Sequence, residues 1–191
     1  MTDITSPASA PVGGTPGVIV ISGISASGKS TVAQALAERL PRSAHVRGDT
    51  FRRMIVNGQA PMTADAPPEA VAQVRLRYRL AATAADAYVE AGFTAVVQDL
   101  FLGEYLADMP RLIRSRPLAV VMLAPDPEVV ARREAQRAKT GYGPDWQPAT
   151  MDKVLRDSTP RIGLWLDTSG QTVEETVDEI FARAWTEGAV S

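Results

Sequence analysis

The sequence predicts an α/β fold in which buried parallel strands alternate with helices. Apolar runs rich in β-branched residues recur along the chain, separated by segments with helical spacing of apolar residues. The first run leads directly into a phosphate-binding motif. With 191 residues, 45% hydrophobic and 22% charged, the chain suits one domain, which we place at residues 17–191. Residues 1–16, rich in Ser, Thr, Pro and Gly, are expected to form a disordered tail and not a signal peptide.

The phosphate-binding motif is the segment 23–30 (GISASGKS), hereafter the phosphate loop, which matches G-x-x-x-x-G-K-[ST] in full. Its glycines let the backbone fold around a phosphate, and its N–H groups point at the anion together with the helix N-terminus. We expect Lys29 to reach the β- and γ-phosphates and Ser30 to ligate Mg²⁺. The alternative, a Gly/Ser turn before an ordinary helix, is disfavoured by the strand–helix context. The predicted nucleotide-binding residues are Gly23, Ser25, Ala26, Ser27, Gly28, Lys29, Ser30 and Thr31.

A second predicted strand, at residues 43–47, leads to Gly48 and Asp49. Ligands of open parallel sheets bind at the carboxyl ends of the strands, so Asp49 is placed to accept the proton of a substrate hydroxyl. The alternative is that Asp49 only caps the helix that follows it. Farther along, the polar 57–68 loop, rich in Gly and Pro, is a candidate substrate flap.

A long helix is predicted from residue 69 to about residue 90. Its apolar stripe consists of Val71, Val74, Tyr78, Ala81, Ala85, Tyr88 and Val89. The same helix carries Arg75, Arg77 and Arg79, which could hold an anionic substrate. Because arginines at this spacing point to different sides of a helix, we interpret them as solvent-exposed surface.

A third strand, at residues 93–98, leads to Asp99, and strands at 118–124 and 162–166 follow. An apolar strand that closes on an aspartate suits a carboxylate that orients Mg²⁺ beside the substrate. Asp99 could instead cap the next helix. Directly after the fifth strand, Asp167 is predicted to contact the nucleotide.

A helix beginning near residue 126 carries basic residues toward a segment punctuated by glycines. Arg133 and Arg137 are four residues apart and therefore share one helical face. We interpret residues 137–147 as a mobile lid whose arginines stabilise charge that develops on a transferred phosphate. The alternative is that Glu134, Arg132 and Arg137 form surface ion pairs of little energetic weight.

The last helix is predicted to open with a capping box at residues 172–175. A short helix around residues 151–156 precedes the fifth strand. The last helix is expected to bury Val173, Val177, Ile180, Phe181 and Ala184.

Composition excludes several classes of function. A net charge of −2 and a pI near 5.5 give no general attraction to nucleic acid. No cysteine and a single histidine argue against a disulfide framework and against Cys or His metal clusters, which leaves Mg²⁺ as the expected metal. No stretch approaches the roughly 18–20 apolar residues of a membrane span, so we expect a cytoplasmic protein without a membrane partner.

The order of elements resembles the nucleoside-monophosphate-kinase branch of P-loop proteins across residues 17–187. The resemblance implies a P-loop NTPase three-layer sandwich with sheet order 2-3-1-4-5 and a short basic lid. The segment GDTFR, which ends at Arg52, is similar to the G-D-x-x-R segment of adenylate kinases and implies that Arg52 touches substrate. Arg133 and Arg137 resemble their lid-entry arginines, the first against adenine and the second on phosphates.

The segment 99–103 (DLFLG) resembles chloramphenicol phosphotransferase and related small-molecule kinases. In that family the aspartate matching Asp49 is taken as the base that accepts the substrate hydroxyl proton. The sequence differs from the family in having Gln98 where a second acidic residue is expected. Zeta toxins, which phosphorylate a nucleotide sugar, share the same loop and base.

Together these features predict a kinase that uses ATP and Mg²⁺ to phosphorylate a hydroxyl of a small molecule, either antibiotic-like or a metabolite. Asp49 would deprotonate the acceptor, and Arg133 and Arg137 would close over the donor. A nucleoside or nucleotide kinase is the first alternative. A regulatory ATPase or adaptor is a second, although the guanine signature Asn-Lys-x-Asp is missing from the sequence. A nucleic-acid-end kinase is disfavoured by the acidic balance.

Overall fold

The computed structural model describes residues 15–136 and 146–191. The predicted N-terminal tail, apart from residues 15 and 16, lies outside the described residues. Most of the predicted lid, including Arg137, also lies outside them.

The centre of the fold is a parallel sheet of five strands in the order β2-β3-β1-β4-β5. The strands are β1 Val18–Gly23, β2 Ser43–Arg47, β3 Thr94–Gln98, β4 Leu118–Leu123 and β5 Leu164–Leu166. The predicted sheet order is thereby confirmed. β5 is shorter than predicted because Gly163, with φ +73°, is not in an extended conformation, so the strand begins at Leu164.

Helices connect the strands and cover both faces of the sheet. They are α1 Lys29–Arg39, α2 Gly48–Arg53, α3 Pro68–Glu90, α4 Glu104–Leu112, α5 Pro127–Ala135, α6 Pro148–Lys153 and α7 Val173–Arg183. A π-helical turn at Val154–Ser158 extends α6 and matches the predicted short helix. Within residues 15–136 and 146–191, none of these helices is long and apolar enough to cross a membrane.

Alternate residues of β1 belong to two separate apolar clusters, one on each face of the sheet. Val18 and Val20 join the cluster under α3 and α4, whereas Ile19 and Ile21 join the cluster under α1 and α7. Apolar side chains on both faces explain why β1 and β4 are buried along their whole length. This layering is the predicted three-layer sandwich.

The predicted apolar stripes of α3 and α7 each include one residue at the end of the helix that is exposed and not buried. Tyr88, in the last turn of α3, is 45% exposed and packs edge-on against Phe93. Val173, the first residue of α7, is 37% exposed, whereas Val177, one turn later, is buried. The capping box of α7 is confirmed, since the Thr172 hydroxyl accepts from Glu175 N–H and the Glu175 carboxylate accepts from Thr172 N–H.

Candidate functional site

The phosphate loop curls back on itself between β1 and α1. The Ile24 carbonyl accepts hydrogen bonds from Ser27 N–H at 3.2 Å and from Lys29 Nζ at 3.0 Å. Gly28 has φ +94°, and a Cβ on Gly23 would lie 2.5 Å from Ser27 Oγ, so both positions need glycine. The sequence motif is therefore realised as a closed cradle of backbone.

The cradle retains polar groups that suit an anion. α1 begins without a side-chain cap, so no side chain competes with an anion for the N–H groups of its first turn. The hydroxyl of Ser27 is buried and has no hydrogen-bond partner in the described part of the chain. A phosphate would supply acceptors for these donors, which is the fit expected of a nucleotide site.

Arg133 joins the phosphate loop to the segment after β5. Its Nη1 donates to the Ser27 carbonyl at 3.4 Å and its Nη2 donates to the Thr168 carbonyl at 3.1 Å. A pocket of about 320 Å³ opens beside these contacts. It is lined by Ser27, Gly28, Thr31, Val32, Arg133, Thr168, Gln171, Thr172, Val173 and Thr176. We call it the rim pocket; it combines apolar contact at Val173 with hydrogen-bonding groups, as a nucleoside requires.

Asp49 lies in the first turn of α2, at the carboxyl end of β2. The N-cap position of α2 is Arg47, so the alternative that Asp49 caps this helix is wrong. The Asp49 side chain is 48% exposed, and its Oδ2 accepts from Arg53 Nε at 2.8 Å. Arg52, on the same short helix, is exposed, and its carbonyl accepts from Gln59 in the 57–68 loop. Asp49 is thus accessible to a molecule that enters beside that loop.

Asp99, at the carboxyl end of β3, is buried; one of its carboxylate oxygens accepts a hydrogen bond, whereas the other, Oδ2, lies in an ion pair but has no hydrogen-bond partner among the described residues. Oδ1 accepts from Leu100 N–H at 2.7 Å, and Oδ2 lies 2.8 Å from Arg77 Nε. α4 begins at Glu104 with Gly103 as its N-cap, so Asp99 is not a helix cap. That Asp99 orients Mg²⁺ stays a prediction from the sequence; in this structure the contacts of its carboxylate are with Leu100 N–H and Arg77.

The interpretation of Arg77 as exposed surface is wrong. Its side chain is only 14% exposed, because it lies between α3 and the end of β3 beside Asp99. Burial lowers the pKa of Arg77, but the Asp99 carboxylate together with Tyr78 and Asp49 outweighs burial and raises this pKa above its ordinary value, so the guanidinium stays charged. Burial in turn raises the pKa of Asp99, an effect that Arg77, the Leu100 amide and Lys29 oppose. Arg79, by contrast, is exposed as predicted.

The segment after β3 is held rigidly by its neighbours. The buried Ser22 hydroxyl donates to the Phe101 carbonyl at 2.9 Å and accepts from Phe101 N–H at 3.0 Å. The Tyr78 hydroxyl donates to the Leu100 carbonyl at 2.6 Å. The backbone that directly follows Asp99 is therefore fixed by hydrogen bonds at Leu100 and Phe101.

Side chains of α3 and α6's N-terminal flank hold the 57–68 loop. Gln73 donates to the Gly58 carbonyl at 2.8 Å and accepts from Ala60 N–H at 2.9 Å. The Trp146 indole donates to the Met62 carbonyl at 3.0 Å. These bonds keep the candidate substrate flap against the domain.

Asp167, predicted to contact the nucleotide, lies in the exposed turn after β5. Its carboxylate accepts from Ser169 N–H at 3.0 Å and from the Ser169 hydroxyl, and these bonds hold the pKa of Asp167 below its ordinary value. In residues 15–136 and 146–191, no three acidic or histidine side chains cluster closely enough to hold a metal.

Comparison with known proteins identifies the domain. The model of the AAA domain family (AAA_33) matches residues 18–161, which include the phosphate loop, Asp49, Asp99 and Arg133. The chain belongs to this family. A search of curated protein sequences finds no match.

Solved structures share the fold of this AAA domain at low sequence identity. A sugar kinase from Janibacter sp. HTCC2649 is 20% identical, with a TM-score of 0.66 over 87% of this chain and 93% of that chain. The APS kinase of Mycobacterium tuberculosis, in complex with AMPPNP and APS, is 18% identical, with a TM-score of 0.63 over 88% and 96%. The tunicamycin resistance protein of Deinococcus radiodurans is 16% identical, with a TM-score of 0.62 over 92% and 99%. These likenesses establish the fold alone.

Sequence reasoning missed three residues of this AAA domain that shape the site. Ser22 has a visible signal, since a serine that ends an apolar strand must find a hydrogen-bond partner if it is buried. Arg77 adjoins Tyr78, a member of the predicted apolar stripe, and this neighbour is a weak sign that Arg77 lies at the edge of the buried face. Gln73 has no distinguishing signal in the sequence.

Proposed function

We propose that this AAA domain is a kinase that transfers the γ-phosphoryl group of ATP to a hydroxyl of a small molecule. The observation that carries the proposal is that the phosphate loop and Asp49 both follow parallel strands at their carboxyl ends, so they face the same edge of the sheet. An anion cradle and an accessible carboxylate on one edge are the two parts that phosphoryl transfer to an alcohol needs.

The donor half of the site is the phosphate loop with the rim pocket. Lys29 and the loop N–H groups would hold the β- and γ-phosphates, and Arg133 would contact the nucleoside in the rim pocket. Mg²⁺, when bound, neutralises phosphate charge, and the Ser30 hydroxyl would ligate it. Arg137 is proposed to add a second positive charge near the phosphates.

The acceptor half is Asp49 with Arg52 and the 57–68 loop. Asp49 would accept the proton of the acceptor hydroxyl while the oxygen of that hydroxyl bonds to the γ-phosphorus. The bond between the γ-phosphorus and the oxygen that bridges to the β-phosphate breaks, and ADP leaves. Because Asp49 is about half exposed, a hydroxyl can approach it without rearrangement of the core. Its pairing with Arg53 orients the carboxylate in the free protein.

Several likenesses support a small-molecule acceptor. The similar structures include a sugar kinase, an APS kinase and a tunicamycin resistance protein. The resemblance of segment 99–103 to chloramphenicol phosphotransferase supports an antibiotic-like compound in particular. A nucleoside or nucleotide kinase is a second candidate, favoured by the exposed Arg52 one helical turn after Asp49.

The test is release of ADP from ATP and Mg²⁺ in the presence of hydroxyl-bearing antibiotics, sugars, nucleosides and nucleoside monophosphates. Mass spectrometry identifies any product heavier by one phosphoryl group, and a Lys29→Ala variant controls for contaminating kinases. Turnover with an antibiotic or sugar supports the proposal. Turnover with a nucleoside or nucleoside monophosphate alone supports the second candidate. A rate that no acceptor raises above hydrolysis contradicts both and favours a regulatory ATPase.

A further inference from the structure

A buried ion pair between Arg77 and Asp99 lies beside Gly48, the residue that precedes Asp49 of the proposed acceptor site. The Arg77 Nε and Asp99 Oδ2 atoms are 2.8 Å apart, and the two side chains are 14% and 7% exposed. Resting on the proposed kinase function, we propose that this pair positions Asp49, and that Asp99 is not a ligand of Mg²⁺. Arg77 and Asp99 are thus positioning residues that act through the backbone at Gly48.

The contact with Gly48 connects the pair to Asp49. The last register pair of β2 and β3 is Arg47 with Gln98, so Gly48 and Asp99 lie side by side where the two strands end. A Cβ on Gly48 would lie 1.9 Å from Asp99 Oδ2. The carboxylate therefore occupies the space that a side chain at position 48 would fill. Any shift of Asp99 moves the backbone that carries Asp49 at the next position.

The surroundings of Asp99 argue against metal ligation. Oδ1 accepts a hydrogen bond from Leu100 N–H, and Oδ2 lies in an ion pair with Arg77 at 2.8 Å, although that oxygen accepts no hydrogen bond in the described part of the chain. The bonds from Ser22 and Tyr78 fix the backbone that follows, and a rotation of the carboxylate away from its present position would break its hydrogen bond with Leu100 N–H and its ion pair with Arg77. A metal ligand at this place would also have to displace a guanidinium from a nearly dry carboxylate.

Stability alone is a weak reason for such a pair. Burying two charges costs desolvation energy that their attraction offsets only in part, and apolar replacements of buried pairs are often as stable. What the pair provides is a fixed geometry, because a guanidinium, a carboxylate and a close glycine leave little freedom to one another. Misplacement of a reacting group by about 1 Å can cost roughly 10²-fold in rate.

The first experiment needs no acceptor. ATP binding is measured by calorimetry over a series of Mg²⁺ concentrations for the wild type and for Arg77→Met, Asp99→Asn and Ser30→Ala. We expect Ser30→Ala to require more Mg²⁺, whereas Arg77→Met and Asp99→Asn stay within about twofold of the wild type. Arg79→Met, which removes an exposed arginine two positions along the same helix, is the matched control. If Asp99→Asn raises the Mg²⁺ requirement as Ser30→Ala does, Asp99 is a metal ligand and the inference is wrong.

The second experiment measures kcat and KM with an acceptor found in the panel. Arg77→Met and Asp99→Asn should each lower kcat roughly 10²-fold with KM for ATP nearly unchanged, and the double variant should be no slower than the slower single variant. Arg77→Lys should recover part of kcat. Additive losses, or a wild-type kcat in either single variant, would overturn the positioning role. If the wild type phosphorylates no acceptor, the proposed function fails, while the Mg²⁺ series still decides whether Asp99 binds metal.

Urea unfolding of the same variants provides a check that is independent of catalysis. Removing one partner leaves the other charge buried and unpaired, so each single variant should unfold at a lower urea concentration than the wild type. The double variant should recover part of the midpoint, since neither charge remains. A double variant less stable than both single variants would show that the two residues are not paired.

Discussion

Replacement of Asp49 by asparagine separates proton acceptance from side-chain shape. The variant keeps the size of the side chain and one oxygen acceptor, but it removes the base. General-base catalysis contributes roughly 10²- to 10⁴-fold, so kcat should fall by that factor. ATP binding should change little, because Asp49 lies on α2 and the phosphate loop lies between β1 and α1.

Asp49→Asn also removes the charge that pairs with Arg53, and loss of this ion pair could by itself change kcat. The Arg53 and Asp49 side chains are 75% and 48% exposed, and exposed pairs contribute about 0.2–1 kcal/mol. At room temperature that range corresponds to at most about a fivefold change in an equilibrium or a rate. Loss of the pair alone, in Arg53→Met, should therefore change kcat by no more than about fivefold. The loss of the base exceeds this by at least an order of magnitude.

The assay compares initial rates of ADP release at saturating ATP and acceptor for the wild type, Asp49→Asn and Arg53→Met. Calorimetry of ATP binding to each protein separates a catalytic defect from loss of the donor site. The reasoning is refuted if Asp49→Asn retains more than about a tenth of the wild-type kcat. Equal losses in both variants would mean that Asp49 acts through its pairing with Arg53 and not as a base.

Three further substitutions test the site and its supports. Arg133→Met should weaken ATP binding about tenfold in calorimetry, because it removes two guanidinium hydrogen bonds at the rim pocket. Asp86→Asn should lower the free energy of unfolding in urea by about 2 kcal/mol at pH 7, since the buried carboxylate accepts N–H bonds from residues 114–115. Burial raises the pKa of Asp86, but those bonds outweigh it and hold the pKa below its ordinary value, so this stabilisation is present above about pH 4 and lost as pH falls through the folded-state pKa. Gly163→Ala should lower Tm in calorimetry, because its φ is +73° and a Cβ would lie 2.2 Å from the Val120 carbonyl oxygen.

Each of these predictions has a control and a contrary result. Arg132→Met changes the exposed neighbour of Arg133 and should bind ATP normally; an equal effect in both variants would remove the special role of Arg133. For Asp86→Asn, a stability difference from the wild type that persists unchanged far below pH 4 would show that ionisation is not its source. Gly170→Ala is the control for Gly163→Ala, because nothing lies within 4 Å of a Cβ there. Similar Tm values for both glycine variants would contradict the packing argument.

Features encoded by consecutive residues could be predicted from the sequence. The phosphate loop needs its glycines, lysine and serine in one short run. The run of β-branched residues before it predicts β1 as a strand buried on both faces. The capping box of α7 is equally local, since Thr172 and Glu175 satisfy each other's backbone N–H groups. The sheet order followed from a family resemblance, because the pairing of β1 with β3 and β4 joins distant residues that no local pattern records.

Features that depend on where a helix rests against the sheet could not be read in the same way. Arg75, Arg77 and Arg79 are equivalent in the sequence, and helical geometry says only that they point in different directions. The position of β3 distinguishes them, since the end of this strand places the Asp99 carboxylate beside Arg77. Tyr88 and Val173 were misjudged for the same reason: periodicity gives the face of a helix but not where along its length the sheet begins and ends.

Gly48 shows how the two kinds of information combine. In the sequence it is only the first residue of a G-D-x-x-R segment, and a glycine before an aspartate indicates no more than a turn after a strand. In the fold the requirement for glycine comes from across the sheet, because Asp99 Oδ2 fills the position of a Cβ. The two aspartates that the sequence treats as separate candidates, one for the acceptor and one for the metal, are therefore mechanically one unit. Arg77 on α3 completes that unit. A substitution of Arg77, on a helix far along the chain from the phosphate loop, should therefore displace Asp49 more than it changes ATP binding.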